Sequence, residues 1–344
     1  MSDGLPPELT PRGRARPTDA VGMGTIMLLY EALVPQVGGK QKLHSQGLEV
    51  VPGGATAVAL TQLARLGVSC GWLGVMGDDE DGDTLINHLV REGIETRCVK
   101  RLGGKRSPFS WVMVPPDGSR STFFFPNVLS DLTPEQVSAT MVGCIDNALH
   151  FHTDVATIPL RTTLQAIEVA RAADCMIFTD LDTDPIYLVD EVGLGRHKEL
   201  EVILERTDVL KLCRSAAVRL TSDDDPQQAC RILHEKYGSR YTFVTADRDG
   251  SFLNYHDEAW HVPSLGGPVV DTTGAGGAYF GGVSYAILAG HEGVDVGYFA
   301  SACAAAACSR VGSLALGTVE EIRSILNGEE VAEEADLPGE LTAD

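Results

Sequence analysis

Apolar and polar positions along the chain form short blocks that predict strands and helices in turn. Brief apolar runs rich in β-branched residues are typical of buried strands, and longer segments with helical periodicity separate them. This alternation predicts a mainly parallel sheet with helices on both faces. The predicted strands span 20–34, 48–51, 69–75, 148–152, 176–180, 209–212, 242–245 and 250–255, and the predicted helices include 56–66, 83–92, 160–172 and 226–237.

One region breaks this alternation and predicts a β-hairpin. The apolar runs 109–114 and 121–125 flank a loop with two prolines and a glycine, which is a hairpin signal. Together with the preceding chain, the hairpin would form a small sheet beside the main domain. We therefore expect a domain over 20–327 with a lid at about 32–51 and 108–126, and disordered tails at 1–19 and 328–344.

Composition narrows the classes of function. The 344 residues are 44% hydrophobic and 22% charged, which is typical of a globular protein with a large core. The net charge is −21, and seven acids without a base in 328–344 contribute a third of it. Such a surface repels nucleic acid and anionic membranes. Eight scattered cysteines without a Cys-x-x-Cys motif predict reduced thiols in a cytoplasmic protein, and neither a signal peptide nor a membrane span is expected.

The clearest candidate for chemistry is a glycine-rich turn before a helix. Asp271-Thr272-Thr273 leads into Gly274-Ala275-Gly276-Gly277, and a helical pattern follows over 278–288. Small residues in the first turn of a helix let a ligand approach backbone N–H groups that have no partner inside the helix. The helix dipole adds positive potential there. The sequence therefore predicts an anion site at this turn.

Asp271-Thr272-Thr273-Gly274-Ala275-Gly276 closely resembles the C-terminal signature of the ribokinase-like, PfkB-type family of carbohydrate and nucleoside kinases, Asp-Thr-x-Gly-Ala-Gly-Asp. The stretch 52–67, which begins Pro52-Gly53-Gly54, is similar to the N-terminal signature of that family. The resemblance extends over nearly the whole chain. It implies a ribokinase-like three-layer α/β sandwich with a small β lid.

The resemblance also implies a set of site residues and cofactors. The phosphate would lie against the amides of Gly274, Ala275 and Gly276, and the expected cofactors are ATP and Mg²⁺, with K⁺ as a candidate further ion. A small metabolite would be the other ligand, and a homodimer through the lid is the assembly to test. Further implied positions are Thr245 and Gly250 for nucleotide, Gly53 and Gly54 for substrate, and Asp271 near a monovalent cation.

Several positions depart from the family pattern. Gly277 stands where the family places the Asp that takes the proton from the substrate hydroxyl, and Leu29 stands where a carboxylate commonly grips the sugar. Val58 replaces a frequent Asn, and Cys213 and Ala216 replace an Asn-x-x-Glu element that organises magnesium and phosphates. Losses at several positions favour natural divergence over a single engineered replacement. They predict a kinase with impaired phosphotransfer or, alternatively, a pseudokinase that binds nucleotide, metabolite or protein.

Other side chains are candidates for a replacement base. Glu31 would share a strand face with Leu29 and so reach the same pocket, although a solvated strand end is the plainer interpretation. The remaining candidates are His150, His152, Asp154, Asp180, Asp182 and Asp184, which follow two predicted strands. The competing role for the histidines and Asp154 is hydrogen bonding to loop backbone. The competing role for the other three acids is a place in a solvated turn or a helix cap. A dinucleotide-binding fold is disfavoured because Tyr279 stands where the third glycine belongs.

Overall fold

A computed structural model describes residues 18–38, 42–45, 47–116, 120–146 and 148–328. The tails expected at the two ends lie almost entirely outside these residues. Within them, the strands are β1 (Ala20–Gly22), β2 (Met27–Leu33), β3 (Gly47–Gly53), β4 (Cys70–Gly77), β5 (Glu95–Leu102), β6 (Phe109–Val114), β7 (Ser121–Phe125), β8 (His150–Asp154), β9 (Met176–Leu181), β10 (Val209–Cys213), β11 (Tyr241–Thr245), β12 (Ser251–Tyr255) and β13 (Glu258–Val262).

The helices pack on both faces of the main sheet. They are α1 (Ala55–Arg65), α2 (Glu80–Arg91), α3 (Pro134–Thr140), α4 (Val142–Ile145), α5 (Leu160–Ala172), α6 (Pro185–Asp190), α7 (His197–Glu205), α8 (Arg214–Thr221), α9 (Pro226–Tyr237), α10 (Ala275–Ala289), α11 (Val294–Cys308) and α12 (Val319–Leu326). Short 3-10 helices span Asn127–Asp131 and Asp247–Asp249. One apolar core lies under α3 and α5 to α9, and a second lies under α1, α2 and α10 to α12.

The main sheet has nine strands in the order β13-β12-β11-β10-β9-β8-β1-β4-β5. All neighbours from β11 to β5 are parallel, and in this sheet, as far as it is described, only the β11–β12 and β12–β13 pairings are antiparallel. Parallel strands bring their carboxyl ends to one edge, which is where open α/β sheets bind ligands. The expected three-layer arrangement is therefore confirmed.

The second sheet is the lid, in the order β3-β2-β6-β7. The hairpin of β6 and β7 forms as expected. The single strand predicted over 20–34 is wrong, because β1 belongs to the main sheet and β2 to the lid, so the lid begins at Met27 rather than near residue 32. The chain turns between them where the Thr25 amide and hydroxyl donate to Asp154 at the end of β8, both at 2.7 Å.

Helix boundaries follow local chemistry. The α9 helix begins after Asp225, whose side chain accepts a hydrogen bond from the Gln227 amide, and Pro226 occupies its first turn. It ends at Gly238, which has a φ of 67°. A carboxylate before the first turn and a left-handed glycine after the last are standard start and stop signals. The predicted range 226–237 is therefore confirmed.

Two further observations concern expectations from composition. Cys98 and Cys144 form a disulfide between β5 and α4, so the expectation that every thiol is reduced is wrong for this pair. The other six cysteines, all within the described ranges, are not disulfide-bonded. No helix in the described ranges is long and apolar enough to cross a bilayer.

Candidate functional site

The predicted anion turn forms at the start of α10. Gly274 caps the helix with a φ of 84°, and a Cβ atom there would lie 2.3 Å from the Ser313 carbonyl oxygen. Glycine is therefore required both by its conformation and by the close backbone. The Ser313 hydroxyl donates to the Pro52 carbonyl at 2.7 Å. This contact ties the turn to the chain that enters α1.

The first turn of α10 presents free backbone donors, although not at Ala275, whose amide donates to the Thr272 carbonyl at 3.2 Å. The first helical bond runs from the Ala278 amide to the Gly274 carbonyl at 2.9 Å. Among the described residues, no acceptor faces the Gly276 or Gly277 amide. Residues 272–276 are partly exposed, so a ligand can approach. Free amides at a helix N-terminus favour an anion such as a phosphate.

Asp271 stabilises the approach to the turn. Its carboxylate accepts from the Thr273 amide at 2.8 Å, the Thr273 hydroxyl at 2.7 Å and the Gly312 amide at 2.9 Å. Arg120 of the lid forms an ion pair with the same carboxylate. Burial acts to raise the pKa of Asp271, but the hydrogen bonds from Gly312 and Thr273 outweigh it and lower the pKa. These are the contacts of a turn-stabilising carboxylate, and the place of Asp271 near a monovalent cation stays a prediction.

Gly277 lies buried against α1. A Cβ atom at this position would lie 2.7 Å from both Cβ and Cγ1 of Val58 and 3.1 Å from the Ala55 carbonyl oxygen. Real side chains do not approach so closely, because overpacking forces neighbours to move. Gly281, one turn later, is equally close to α1, with a Cβ position 2.6 Å from the Ala59 carbonyl. The space expected to hold a catalytic carboxylate is therefore occupied by Val58.

The acceptor side of the site is largely apolar. Gly53 has its Cβ position 2.7 Å from Leu29 Cδ1, and Gly54 has a φ of 109° with its Cβ position 2.4 Å from the Thr25 carbonyl. Leu29 packs with Met27, Val51, Val112 and Val114 of the lid in a small buried cluster. The position where the resemblance implies a carboxylate is thus part of an apolar cluster, and its place in a substrate pocket stays a prediction.

Glu31 lies beyond Leu29 on the same face of β2. Its Oε1 atom is buried and has no hydrogen bond partner within the described part of the chain. Burial raises the pKa of Glu31, and the nearby Arg120 guanidinium opposes that shift. A buried, unsatisfied carboxylate oxygen near Arg120 is suited to bind a ligand hydroxyl. Its place in the substrate pocket stays a prediction.

Thr245 and Gly250 flank the turn between β11 and β12. The Thr245 hydroxyl donates to the Leu212 carbonyl at 3.3 Å. Gly250 has a φ of 81° and a Cβ position 2.2 Å from the Val262 carbonyl, which only glycine tolerates. The next residue, Ser251, accepts a 2.9 Å hydrogen bond from Tyr279 of α10. The loop therefore adjoins α10, and its contact with nucleotide stays a prediction.

The two histidines lie in the protein interior. His150 Nδ1 and His152 Nε2 each lie 2.9 Å from the Ser284 hydroxyl in the middle of α10. Both rings pack 4.5 Å from the Phe178 ring. Burial lowers the pKa of His150 to about 3 and that of His152 well below its ordinary value. They are neutral core residues with a structural role, but their partner is the Ser284 side chain rather than the loop backbone that the competing interpretation named.

Asp154 and the acids after β9 have separate surroundings. Asp154 is buried and accepts hydrogen bonds from Thr25 and Thr56. Asp182 is exposed, and Asp184 caps α6 by accepting from the Ile186 amide at 2.9 Å. Asp180 is different, because it forms a buried ion pair with Lys211 of β10 at 2.9 Å.

Lys211 is the residue that sequence reasoning missed. Its signal was a single lysine inside the apolar run Val-Leu-Lys-Leu-Cys at 209–213.

The described residues hold no group of three His, Cys, Asp or Glu side chains arranged for a metal ion. Cys213 and Ala216, at the positions of the missing magnesium-organising pair, offer no carboxylate. The described residues around the turn thus suit a phosphate, but they do not include the Asn and Glu side chains expected to organise magnesium.

Comparisons with known proteins find fructokinases among the relatives of this chain. Fructokinase-2 of Solanum lycopersicum is 28% identical over 332 residues, which cover 90% of this chain and 98% of the relative. Probable fructokinase-4 of Arabidopsis thaliana is 27% identical over 314 residues, or 86% of this chain and 93% of the relative.

Solved structures show the same ribokinase-like fold. Arabidopsis thaliana ribokinase in complex with ribose and ATP has a TM-score of 0.77 at 19% identity, covering 90% of this chain and 98% of that one. An E. coli ribokinase-II-like protein in complex with ATP and Mg²⁺ has a TM-score of 0.76 at 22% identity, covering 91% and 100%. The family model for pfkB family carbohydrate kinases matches residues 18–318. The chain therefore belongs to the pfkB family of carbohydrate kinases.

Proposed function

We propose that this protein binds the phosphates of ATP or ADP at Gly274, Ala275 and Gly276, and that its phosphotransfer to a small hydroxylated metabolite is impaired. Family membership and the open amides of the turn support the binding step. The observation that carries the impairment is the contact between Val58 and Gly277, because it fills the place of the base with hydrocarbon. A closed, apolar position cannot accept a proton.

The expected size of the defect follows from the chemistry. General-base catalysis typically contributes about 10²- to 10⁴-fold in rate. Phosphoryl transfer depends more on positioning and charge stabilisation, and the turn that would supply them is intact. A slow kinase is therefore the primary proposal.

The apolar acceptor pocket also supports an impaired kinase. A pocket built to hydrogen-bond a hydroxyl rejects ligands that lack one, whereas an apolar wall discriminates weakly. Leu29 and its cluster form such a wall. We propose Glu31 as the carboxylate that contacts the acceptor, since its buried Oε1 atom is otherwise unsatisfied. Low selectivity among small alcohols follows.

The first experiment measures binding and turnover separately. Isothermal titration calorimetry with ADP and a non-hydrolysable ATP analogue should detect binding, while a phosphotransfer assay over a panel of sugars and other small alcohols should give very low rates. Gly274→Ala is the negative control for binding, because its side chain would collide with Ser313. Rates typical of a sugar kinase would contradict the impairment, and no binding of either nucleotide would contradict the proposed function.

The second experiment restores the base. Gly277→Asp alone would collide with Val58, so it is combined with Val58→Ala. The matched control is Gly277→Asn with Val58→Ala, which has the same shape without a basic carboxylate. We expect the phosphotransfer rate of the Asp variant to exceed that of the Asn variant by about 10²-fold or more if the rest of the site is competent. Equal rates would show that the remaining site is not competent and would favour the pseudokinase alternative.

That alternative is a binding or interaction module, and exposed aromatic side chains of the lid support it. Trp111, Phe123 and Phe125 lie on one face of β6 and β7 and are 37%, 50% and 40% exposed. Exposed aromatic groups of this kind mark interaction surfaces. We propose a homodimer through this face. Sedimentation velocity should show a dimer that Phe123→Gln weakens and Tyr187→Gln, an equally exposed control on α6, does not. A monomer at all concentrations would contradict it.

A further inference from the structure

Lys211 lies in the middle of β10, where a charged side chain needs an explanation. The residue is 2% exposed, as is its partner Asp180 on β9. Its Nζ atom lies 2.9 and 3.0 Å from the two oxygens of the Asp180 carboxylate. Lysine is almost never fully buried unless it is paired, and a buried ion pair is weak support for stability as such. A role in stability alone therefore accounts poorly for its presence.

The ammonium group points at the phosphate-binding turn. Nζ of Lys211 lies 3.0 Å from the position that a Cβ atom would take at Gly276, the second residue of α10. Any side chain there would press on the ammonium group, so Gly276 serves this contact as well as the approach of a ligand. The cation thus lies beside the same first turn whose Gly276 and Gly277 amides are free of acceptors among the described residues. Both features place positive potential at one point.

The surroundings keep this lysine charged. Burial acts to lower its pKa, but Asp180 and Asp182 outweigh burial and raise it. Burial in turn raises the pKa of Asp180 to about 7, against the lowering effect of Lys211. Because burial makes the Asp180 carboxyl group harder to ionise, the Lys211 ammonium group can also bind a second anion.

We propose that Lys211 is a phosphate-binding residue of the turn, sharing its ammonium group between Asp180 and a phosphate held by the amides of Gly276 and Gly277. This inference rests on the proposed nucleotide site. Cys213 and Ala216 cannot organise magnesium as the Asn and Glu implied at their positions would. In this proposal Lys211 supplies the positive charge that stabilises the phosphate instead. Nucleotide binding by this chain should accordingly depend less on Mg²⁺ than on Lys211.

The test uses the full chain and ADP as the probe, with and without Mg²⁺, in isothermal titration calorimetry. Lys211→Met should weaken ADP binding about 10- to 100-fold, the scale of one charge-assisted hydrogen bond. Asp180→Asn should tighten it, because the lysine loses its competing partner, even as the protein becomes less stable. A purely structural pair would not produce these opposite effects on stability and affinity.

Because Lys211→Met leaves Asp180 unpaired and can fail to fold, Lys211→Met is also made together with Asp180→Asn. The double variant should regain thermal stability but not ADP affinity. Lys236→Met, which removes the same charge from the partly exposed Lys236–Glu201 pair on α9, should bind ADP like the wild type. A folded double variant with wild-type affinity overturns this inference alone. No ADP binding by the wild type overturns it together with the proposed function.

Discussion

The two halves of the site have diverged to different degrees. On the phosphate side, Gly274, Ala275 and Gly276 form the expected turn, and its donors are backbone amides. On the proposed acceptor side, Leu29 and Val58 present hydrocarbon, and Val58 packs against Gly277. A binding site made of backbone depends only on glycines in the right conformations, whereas hydroxyl binding and proton transfer depend on individual side chains. On the function proposed above, substitution would weaken the acceptor chemistry and leave the anion turn in place.

The largest effect is expected from breaking the phosphate side. Gly274→Ala places a methyl group against the Ser313 carbonyl in a left-handed conformation, and should cost about 2–4 kcal/mol of unfolding free energy. ADP affinity should fall by at least about a hundredfold, since several charge-assisted bonds are displaced. Denaturant unfolding and calorimetry measure both quantities. Gly103→Ala, where a Cβ atom meets nothing within 4 Å, is the control and should bind normally.

The next prediction separates the interior histidines from the site. The folded pKa of His150 is about 3, below its ordinary unfolded value of about 6.5. Above pH 6.5 both states are neutral, so stability is unaffected. As the pH falls below 6.5 the unfolded state binds a proton that the folded state does not, and each such histidine costs about 1.4 kcal/mol per pH unit until its folded pKa is reached.

His150→Asn should therefore be less stable than the wild type at pH 7. The difference in free energy of unfolding between the two proteins should narrow as the pH falls. The amide replaces Nδ1 as a partner for Ser284, and the other titrating groups are common to both proteins and cancel in the difference. Urea unfolding between pH 7.5 and 4.5 gives the comparison. A constant gap, or a large loss of ADP affinity at pH 7.5, would argue against a purely interior role.

A third prediction tests the packing that occupies the acceptor side. Gly277→Ala should destabilise the protein by about 1–3 kcal/mol through contact with Val58, and Val58→Ala should cost a similar amount through a cavity. The double variant should be about 1–2 kcal/mol more stable than the two single effects predict, because the new methyl group fills the space that Val58 leaves. Additive effects would show that position 277 and Val58 are not in contact in solution.

The smallest effect concerns the contact between the two halves. Arg120 of the lid pairs with Asp271 before the turn, and its side chain is 31% exposed. Arg120→Met should cost less than about 1 kcal/mol of global stability because the pair is partly solvated. Hydrogen exchange at the amides of β6 and β7 should nevertheless become faster. Arg97→Met, which breaks a solvent-exposed pair with Glu95, should leave lid exchange unchanged.

Much of the fold was predictable because its signals are local. The α5 and α9 ranges are those predicted from periodicity and end signals, and the hairpin of β6 and β7 follows from two apolar runs around a turn. The strand over 20–34 was mispredicted because its residues are apolar on both sides of the break at Thr25. What divides β1 from β2 there is a carboxylate 129 residues away, Asp154.

The same limit applies to the site. Glycine spacing in 271–277 predicts an anion turn, because free amides and a helix dipole arise from adjacent residues. The absence of a carboxylate at position 277 is also plain from the chain. Lys211 carried no such signal, because one lysine in an apolar strand does not reveal its partners.

By itself, the sequence determined the alternation of strands and helices, the glycine-rich turn at 274–277 and the lack of a carboxylate at Gly277, since each depends on neighbours in the chain. Only the tertiary structure decided that Val58 fills the space at Gly277, that Lys211 faces Gly276, and that His150 and His152 lie in the core. These facts depend on how closely α1, α10 and the central strands approach one another. That spacing is set by packing across the whole domain, which no local pattern encodes.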